Sequence, residues 1–178
     1  MGLTIHYQGQ LRSEAAYEEF VALTGAYAGT RGWPAHPVTM ARKVLTRTLQ
    51  PEDPEAPEYE EIYDGPVRGI YLLPDPHCEP LTFEFDRDLF MQDWCKTQFA
   101  GAGVHAEIVG LFRQGEGLFE MLDVMDEAEF WEVNDLAALE EAFKAASVAI
   151  AAAAAETPGA AVGVLTPSGR ILDVLADT

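Results

Sequence analysis

Most of the strand-like segments in this sequence follow one another with few helices between them. Near the N-terminus, Leu3, Ile5 and Tyr7 alternate with polar residues, which is the period of a half-buried strand. Ser13 then begins a helical pattern that ends near Gly29 to Gly32. Strands that arrive in consecutive runs indicate an α+β fold with a mainly antiparallel sheet, rather than a doubly wound parallel one.

The complete pattern predicts the element order β α β β β β α β β α β β, with about three helices packed on a mainly antiparallel β-sheet as a two-layer sandwich. Residues 38–49 are rich in β-branched side chains and predict a strand, with a helix as the alternative. Residues 81–86 and 91–99 predict a hairpin, and residues 129–133 a short strand. Asn134 is expected to cap a long, alanine-rich helix.

The chain length and one biased segment define the expected domain organisation. With 178 residues, the chain is expected to form a single α+β domain over residues 1–178. Residues 51–64 hold seven acidic residues, three prolines and no basic residue, so they lack both backbone donors and apolar surface. We therefore predict a mobile acidic loop there.

The charge balance restricts the class of partner. Thirty Asp and Glu against 11 Lys and Arg give a net charge of −19. Nucleic acid and anionic membrane surfaces both attract clustered basic residues, so neither is an expected partner. The two cysteines and the polar N-terminal segment, which lacks the apolar stretch of a signal peptide, predict free thiols and a cytoplasmic location.

No familiar catalytic motif occurs in the sequence. It contains no glycine-rich phosphate loop, HExxH, GxSxG, paired CxxC or EF-hand pattern, so no cofactor is implied. Metal binding by His77, Cys78 and His105 is disfavoured, because His77 and Cys78 point to opposite sides of a regular strand and no ligand spacing recurs. No metal site is predicted.

One candidate site depends on the register of the predicted hairpin. A turn at Asp86 to Leu89 would bring opposite charges and apolar groups together across the strands, and both contacts are favourable. A two-residue turn at Asp86 and Arg87 is the alternative, and it would set Cys78 opposite Cys95. The preferred register also places Trp94 in an apolar row with Leu81, Phe83 and Phe85. Its pairs are Phe85 with Phe90, Phe83 with Gln92, Leu81 with Trp94, Glu79 with Lys96, and His77 with Gln98.

This register, together with a helix that starts near residue 104, predicts a group of polar side chains at one end of the sheet. A carboxylate, an ammonium, an amide and two imidazoles beside an aromatic wall are typical of a small-ligand pocket or an acid/base site. The alternative is an ordinary surface salt bridge, with one histidine in a loop and the other on the flank of a helix. The predicted ligand-binding residues are His77, Glu79, Lys96, Gln98 and His105.

These features favour a cytoplasmic binding or regulatory domain for a small polar ligand or a protein partner. An enzyme is the second hypothesis, with His77 or His105 as general base, Glu79 orienting it and Lys96 stabilising negative charge. A third is an acidic interaction module in which residues 51–64 bind a basic partner. A homodimer formed through an exposed strand or helix face is a further hypothesis.

Overall fold

The computed structural model describes residues 2–51, 53 and 55–176, and in these residues it has eight strands in three antiparallel sheets and four α-helices. This confirms the predicted α+β class, and the packing is consistent with the predicted two layers. The strands are β1 (Thr4–Leu11), β2 (Ala35–Leu49), β3 (Tyr59–Leu72), β4 (Leu81–Phe85), β5 (Phe90–Lys96), β6 (Phe119–Asp126), β7 (Ala161–Leu165) and β8 (Ile171–Leu175). The helices are α1 (Glu14–Arg31), α2 (Ala102–Gly115), α3 (Phe130–Val133) and α4 (Leu136–Ala155).

The first sheet has the strand order β5-β1-β6, with the N-terminal strand in its centre. Ile5 and Tyr7 of β1 are buried, whereas His6 and Gln8 are half-buried on the other face, as the alternating sequence predicts. β1 pairs antiparallel with both neighbours, so its buried parity also determines which residues of β5 and β6 point to the core.

The second sheet has the order β2-β3-β4 and contains a long two-stranded ribbon. We call Ala35–Leu49 and Tyr59–Leu72 the β2–β3 ribbon. β4 pairs with Arg68–Leu72, so it supports the ribbon at one end. The register of the ribbon shifts between Met40 and Lys43, which marks a bulge where the strands bend.

The hairpin predicted between β4 and β5 forms only at its two ends. The Asp86 N–H donates to the Phe90 carbonyl oxygen at 3.0 Å, and the Glu79 N–H donates to that of Lys96, also at 3.0 Å. Between these points β4 pairs with β3 and β5 pairs with β1, so the strands belong to different sheets. The side-chain pairings predicted for the middle of the hairpin are therefore wrong.

Tyr7 fills the gap where β4 and β5 separate. Its hydroxyl donates to the Thr82 carbonyl oxygen at 2.8 Å and accepts from the Thr82 N–H at 3.3 Å. The phenol thus satisfies backbone groups of β4 that a neighbouring strand would otherwise bond. Its ring lies 5.6 Å from that of Phe83 and 5.0 Å from that of Phe112, measured between centroids.

The core lies between the inner faces of the two larger sheets and helices α1 and α2. Phe20 of α1 makes edge-to-face contacts with Phe83, Phe85 and Phe119, with centroids 5.0 to 5.6 Å apart. Burial of such a ring stabilises the fold by about 1.5–3 kcal/mol. The largest fully buried side chains include Tyr7, Phe20, Phe83, Phe85, Phe112, Ile5, Leu72 and Leu81.

The helix ends show where local sequence determines structure. Ser13 caps α1 by accepting from the Ala16 N–H at 3.1 Å, and Gly32 ends that helix with a φ of 69°, both as predicted. The cap of α4 is Asp135 instead of Asn134, which lies one residue earlier in the left-handed conformation. Residues 129–133, predicted as a strand, contain the short helix α3, because the Asp126 carboxylate accepts from the N–H groups of Ala128 and Trp131 and turns the chain there.

The predicted acidic loop at residues 51–64 is shorter than expected. Tyr59–Asp64 belongs to β3 and pairs with Val44–Leu49 of β2, so nearly half of the segment is strand. Arg42 and Asp64 form a bidentate ion pair at 2.6 Å, which offsets part of the negative charge. Residues 52 and 54 of that segment lie outside the described part of the chain.

Among the described residues, no helix combines the length and apolar character required to cross a membrane.

Candidate functional site

A cleft of about 590 Å³ lies between the outer face of the first sheet and the end of the β2–β3 ribbon. Pockets of this size hold small ligands in many proteins, usually with a few convergent polar groups in the lining. We call it the outer cleft. Its lining residues are His6, Tyr7, Gln8, Thr46, Thr48, Gln50, Glu58, Gln92, Asp93, Trp94, Asp123 and Met125.

The floor of the outer cleft is formed by two rows of side chains that run across the three strands. In one row, His6 of β1 lies opposite Trp94 of β5 and Met125 of β6. In the next row, Gln8 lies opposite Gln92 and Asp123. These residues face outward because the alternate positions of the same strands are in the core.

Hydrogen bonds fix the polar row of the floor. Gln92 Nε2 donates to Gln8 Oε1 at 2.8 Å, and Gln8 Nε2 donates to Asp123 Oδ2 at 3.2 Å. In the other row, His6 Nε2 lies 3.4 Å from Glu127 Oε1. The cleft thus presents amide, imidazole and carboxylate groups from three strands held in register.

The wall of the outer cleft is the end of the ribbon, which two contacts anchor to the first sheet. The Gln92 side chain bonds both the N–H and the carbonyl oxygen of Thr48 on β2. Nearby, Arg47 forms a buried ion pair with Asp86 at 2.9 Å, and its guanidinium lies 4.5 Å from the Phe90 ring centroid. Burial, the largest cause, lowers the pKa of Arg47, although Asp86 opposes that shift.

Trp94 lies at the edge of the cleft with an arginine stacked on it. The Arg170 guanidinium carbon is 3.9 Å from the centroid of the indole ring. Arg170 Nη2 also donates to Asp93 Oδ1 at 2.6 Å. Burial raises the pKa of Asp93, even though Arg170 and the Trp94 N–H act in the opposite direction. Despite the stacking, Trp94 remains 44% exposed.

Two of the sequence-predicted site residues, Glu79 and Lys96, do come together, but at the C-terminal hairpin formed by β7 and β8. The buried Glu79 carboxylate accepts from the Ile171 N–H at 2.8 Å and from the Lys96 N–H at 3.1 Å, and it pairs with Arg170 at 3.2 Å. Lys96 Nζ donates to the Ile171 carbonyl oxygen at 3.0 Å and to Asp173 at 3.1 Å. Both side chains thus fasten the hairpin to the sheet.

The other predicted residues lie in separate environments. His77 is exposed in a turn, with Nδ1 3.1 Å from Asp75 Oδ1. Gln98 is buried, and its Oε1 accepts from the Leu3 N–H at 3.0 Å. None of the five predicted residues lines the outer cleft.

His105, the fifth predicted residue, lies in a sealed hydrogen-bonded chain. Its Nδ1 is 2.7 Å from Thr97 Oγ1 and its Nε2 is 3.0 Å from Asp126 Oδ2, and the side chains of His105 and Asp126 have no exposed surface. Burial raises the pKa of Asp126, but His105 and two backbone N–H groups outweigh it, so the net pKa is lowered. A hydroxyl, an imidazole and a carboxylate linked by hydrogen bonds resemble a catalytic triad, yet these three side chains are buried and a substrate cannot reach them.

The residues of the outer cleft carry little signal in the sequence, for a physical reason. His6 and Gln8 are on the polar face of a predicted strand, which ordinarily faces solvent. Trp94 was expected in the core row and is instead exposed, because pairing with β1 places it opposite His6. The sequence does show that Gln92 and Asp123 are polar residues within predicted strands. It does not show that they lie close together, because that depends on the order of the strands in the sheet.

Comparison of the chain with protein-family models, with curated proteins and with solved structures finds no significant match. The chemistry of the cleft must therefore be inferred from its residues. Within the described part of the chain, no group of three or more His, Cys, Asp or Glu side chains is arranged to hold a metal ion. The outer cleft offers hydrogen bonds, negative charge and an aromatic surface.

Proposed function

We propose that this protein is a binding domain that holds a small polar ligand in the outer cleft. One observation carries the proposal: Gln8, Gln92 and Asp123 form a hydrogen-bonded row on the floor of a cleft of about 590 Å³. Because the floor belongs to a three-stranded sheet, its donors and acceptors are held before any ligand arrives, which lowers the entropy lost on binding.

Binding is favoured over the enzyme hypothesis by the surroundings of His77 and His105, the two histidines named in that hypothesis as general base. His105 is enclosed by the core, and His77 is bonded to a neighbouring residue in an exposed turn. The acidic-module hypothesis has less support because Tyr59–Asp64 is engaged in the ribbon. The cytoplasmic location and the homodimer remain predictions from the sequence.

A screen of polar metabolites by ¹H–¹⁵N NMR tests the proposal. Compounds that bind should shift the backbone amides of His6, Gln8 and Asp123, and Gln8→Ala should weaken their binding. Gln114→Ala, which removes an exposed amide side chain from α2, is the matched control and should bind normally. Ligands whose shifts cluster around Glu79 and Lys96 would contradict the proposed site.

A further inference from the structure

We propose that the outer cleft selects organic cations, that is, small molecules that join a protonated amine to a short apolar body. This inference rests on the proposed function and names the ligand class for the same cleft. It is carried by the charge of the lining and by the aromatic and thioether groups beside it.

The lining of the outer cleft is negatively charged. It contains Glu58, Asp93 and Asp123, and among the described residues that line it none is Lys or Arg. Asp93 is already paired with Arg170, which leaves Glu58 and Asp123 as the exposed acids. An anionic ligand would lose hydration beside these carboxylates without gaining a countercharge, whereas a cation gains one.

Asp123 is the acid best placed to meet such a cation. The described donor to its carboxylate is the neutral amide of Gln8, which leaves the negative charge uncompensated. A carboxylate can accept about four hydrogen bonds, so Asp123 has room for an ammonium. The ammonium is therefore expected at the Asp123 end of the polar row, next to the Gln8 amide.

The adjacent row supplies surface for the apolar part of the ligand. Trp94 is 44% exposed and Met125 is 55% exposed, on either side of His6. The Arg170 guanidinium, 3.9 Å from the indole centroid, covers part of the ring, so the exposed remainder is the surface available to the apolar body. Aromatic rings and the Met thioether both pack well against flat apolar groups. The two rows together therefore match a molecule with one charged end and one apolar end.

The net charge of −19 also favours cations over anions as they approach the protein. A strongly acidic surface raises the local concentration of cations and lowers that of anions. The effect is screened by salt over a distance of about 8–10 Å, so it depends on ionic strength.

Three probes of matched shape and different charge test the inference: 2-phenylethylammonium, 2-phenylethanol and 3-phenylpropionate. In ¹H–¹⁵N NMR titrations of the full chain, we expect the ammonium to bind with an affinity about fivefold or more above that of the alcohol, and the carboxylate to bind most weakly. Raising NaCl from about 20 to about 300 mM should weaken binding of the ammonium and leave that of the alcohol nearly unchanged.

Asp123→Asn should weaken binding of the ammonium about three- to tenfold and should not affect the alcohol. Glu18→Gln makes the same charge change on an exposed position of α1 and is the control, expected to bind all three probes normally. Equal or tighter binding of the alcohol or the carboxylate at the same amides would overturn the cation inference while leaving the proposed binding cleft intact. The absence of shifts at His6, Gln8 and Asp123 with all three probes would overturn the inference, and the metabolite screen then decides the proposed function separately.

Discussion

The Gln92 side chain pairs with the main chain of Thr48: its Oε1 accepts from the Thr48 N–H at 2.9 Å and its Nε2 donates to the Thr48 carbonyl oxygen at 2.6 Å. One amide side chain thus joins the two large sheets in the way that a neighbouring strand would. The contact also determines the width of the outer cleft, because Gln92 is on its floor and Thr48 on its wall.

Gln92→Ala should release the end of the ribbon from the sheet. Both hydrogen bonds are at the surface, so we expect the free energy of unfolding to fall by only about 1 kcal/mol. Amide hydrogen exchange should accelerate in residues 44–49 and 59–64, whereas β1 stays protected. Exchange measured by mass spectrometry checks this, with Gln114→Ala as control. Unchanged exchange in the ribbon would mean that Arg47 and Asp86 anchor it alone.

Arg170→Met should detach the C-terminal hairpin. The substitution removes the cation that pairs with the buried Glu79 and with Asp93, and Arg170 itself is about one-third exposed. We therefore expect a loss of about 1–3 kcal/mol, below the value for a fully buried pair. Hydrogen exchange should increase in residues 161–175. Lys144→Met, at an exposed cation of α4, is the matched control and should leave this segment protected. Equal effects of both substitutions would show that the Arg170 ion pairs do not hold the hairpin on the sheet.

Asp126 should make the protein sensitive to acid. Its folded pKa is lowered, so its contribution to stability is fully present above the unfolded value of about 3.9 and is lost as the pH falls through the folded pKa. Asp126→Asn should therefore destabilise the protein by about 2 kcal/mol near neutral pH and by progressively less in acid. Urea unfolding at several pH values measures the difference. If the wild type and Asp126→Asn differ in unfolding free energy by the same amount down to about pH 2, the lowered pKa of folded Asp126 would be contradicted.

Cys78 and Cys95 should react slowly with alkylating reagents in the folded protein. Their sulfur atoms lie 3.5 Å apart, and both residues are buried. The hydrogen bond with Cys78 and burial raise the pKa of Cys95 well above its ordinary value, which removes the reactive thiolate. Iodoacetamide labelling followed by mass spectrometry should modify both thiols quickly in concentrated guanidinium chloride and slowly in buffer. Fast labelling of the folded chain would show that the pair is accessible.

Local patterns were enough to predict the class of the fold. The alternation around Tyr7, the Ser13 cap and the Gly32 stop each act over a few residues, and all three were predicted correctly. The predicted element order also ends in two strands after the last helix, and these form the antiparallel pair β7 and β8.

The arrangement of strands in space was decided by contacts between residues far apart in the chain. β4 and β5 are neighbours in sequence, yet β4 pairs with β3 and β5 pairs with β1, and the Tyr7 hydroxyl bonds the β4 backbone between them. Because β5 pairs with β1, Trp94 lies in the outer cleft and not in the core, where the sequence predicts it. The sequence alone specified most of the strands and which face of β1 is buried, since these depend on near neighbours. Only tertiary structure could bring Gln8, Gln92 and Asp123 into one row, because their proximity depends on the order of β5, β1 and β6, which no local pattern encodes.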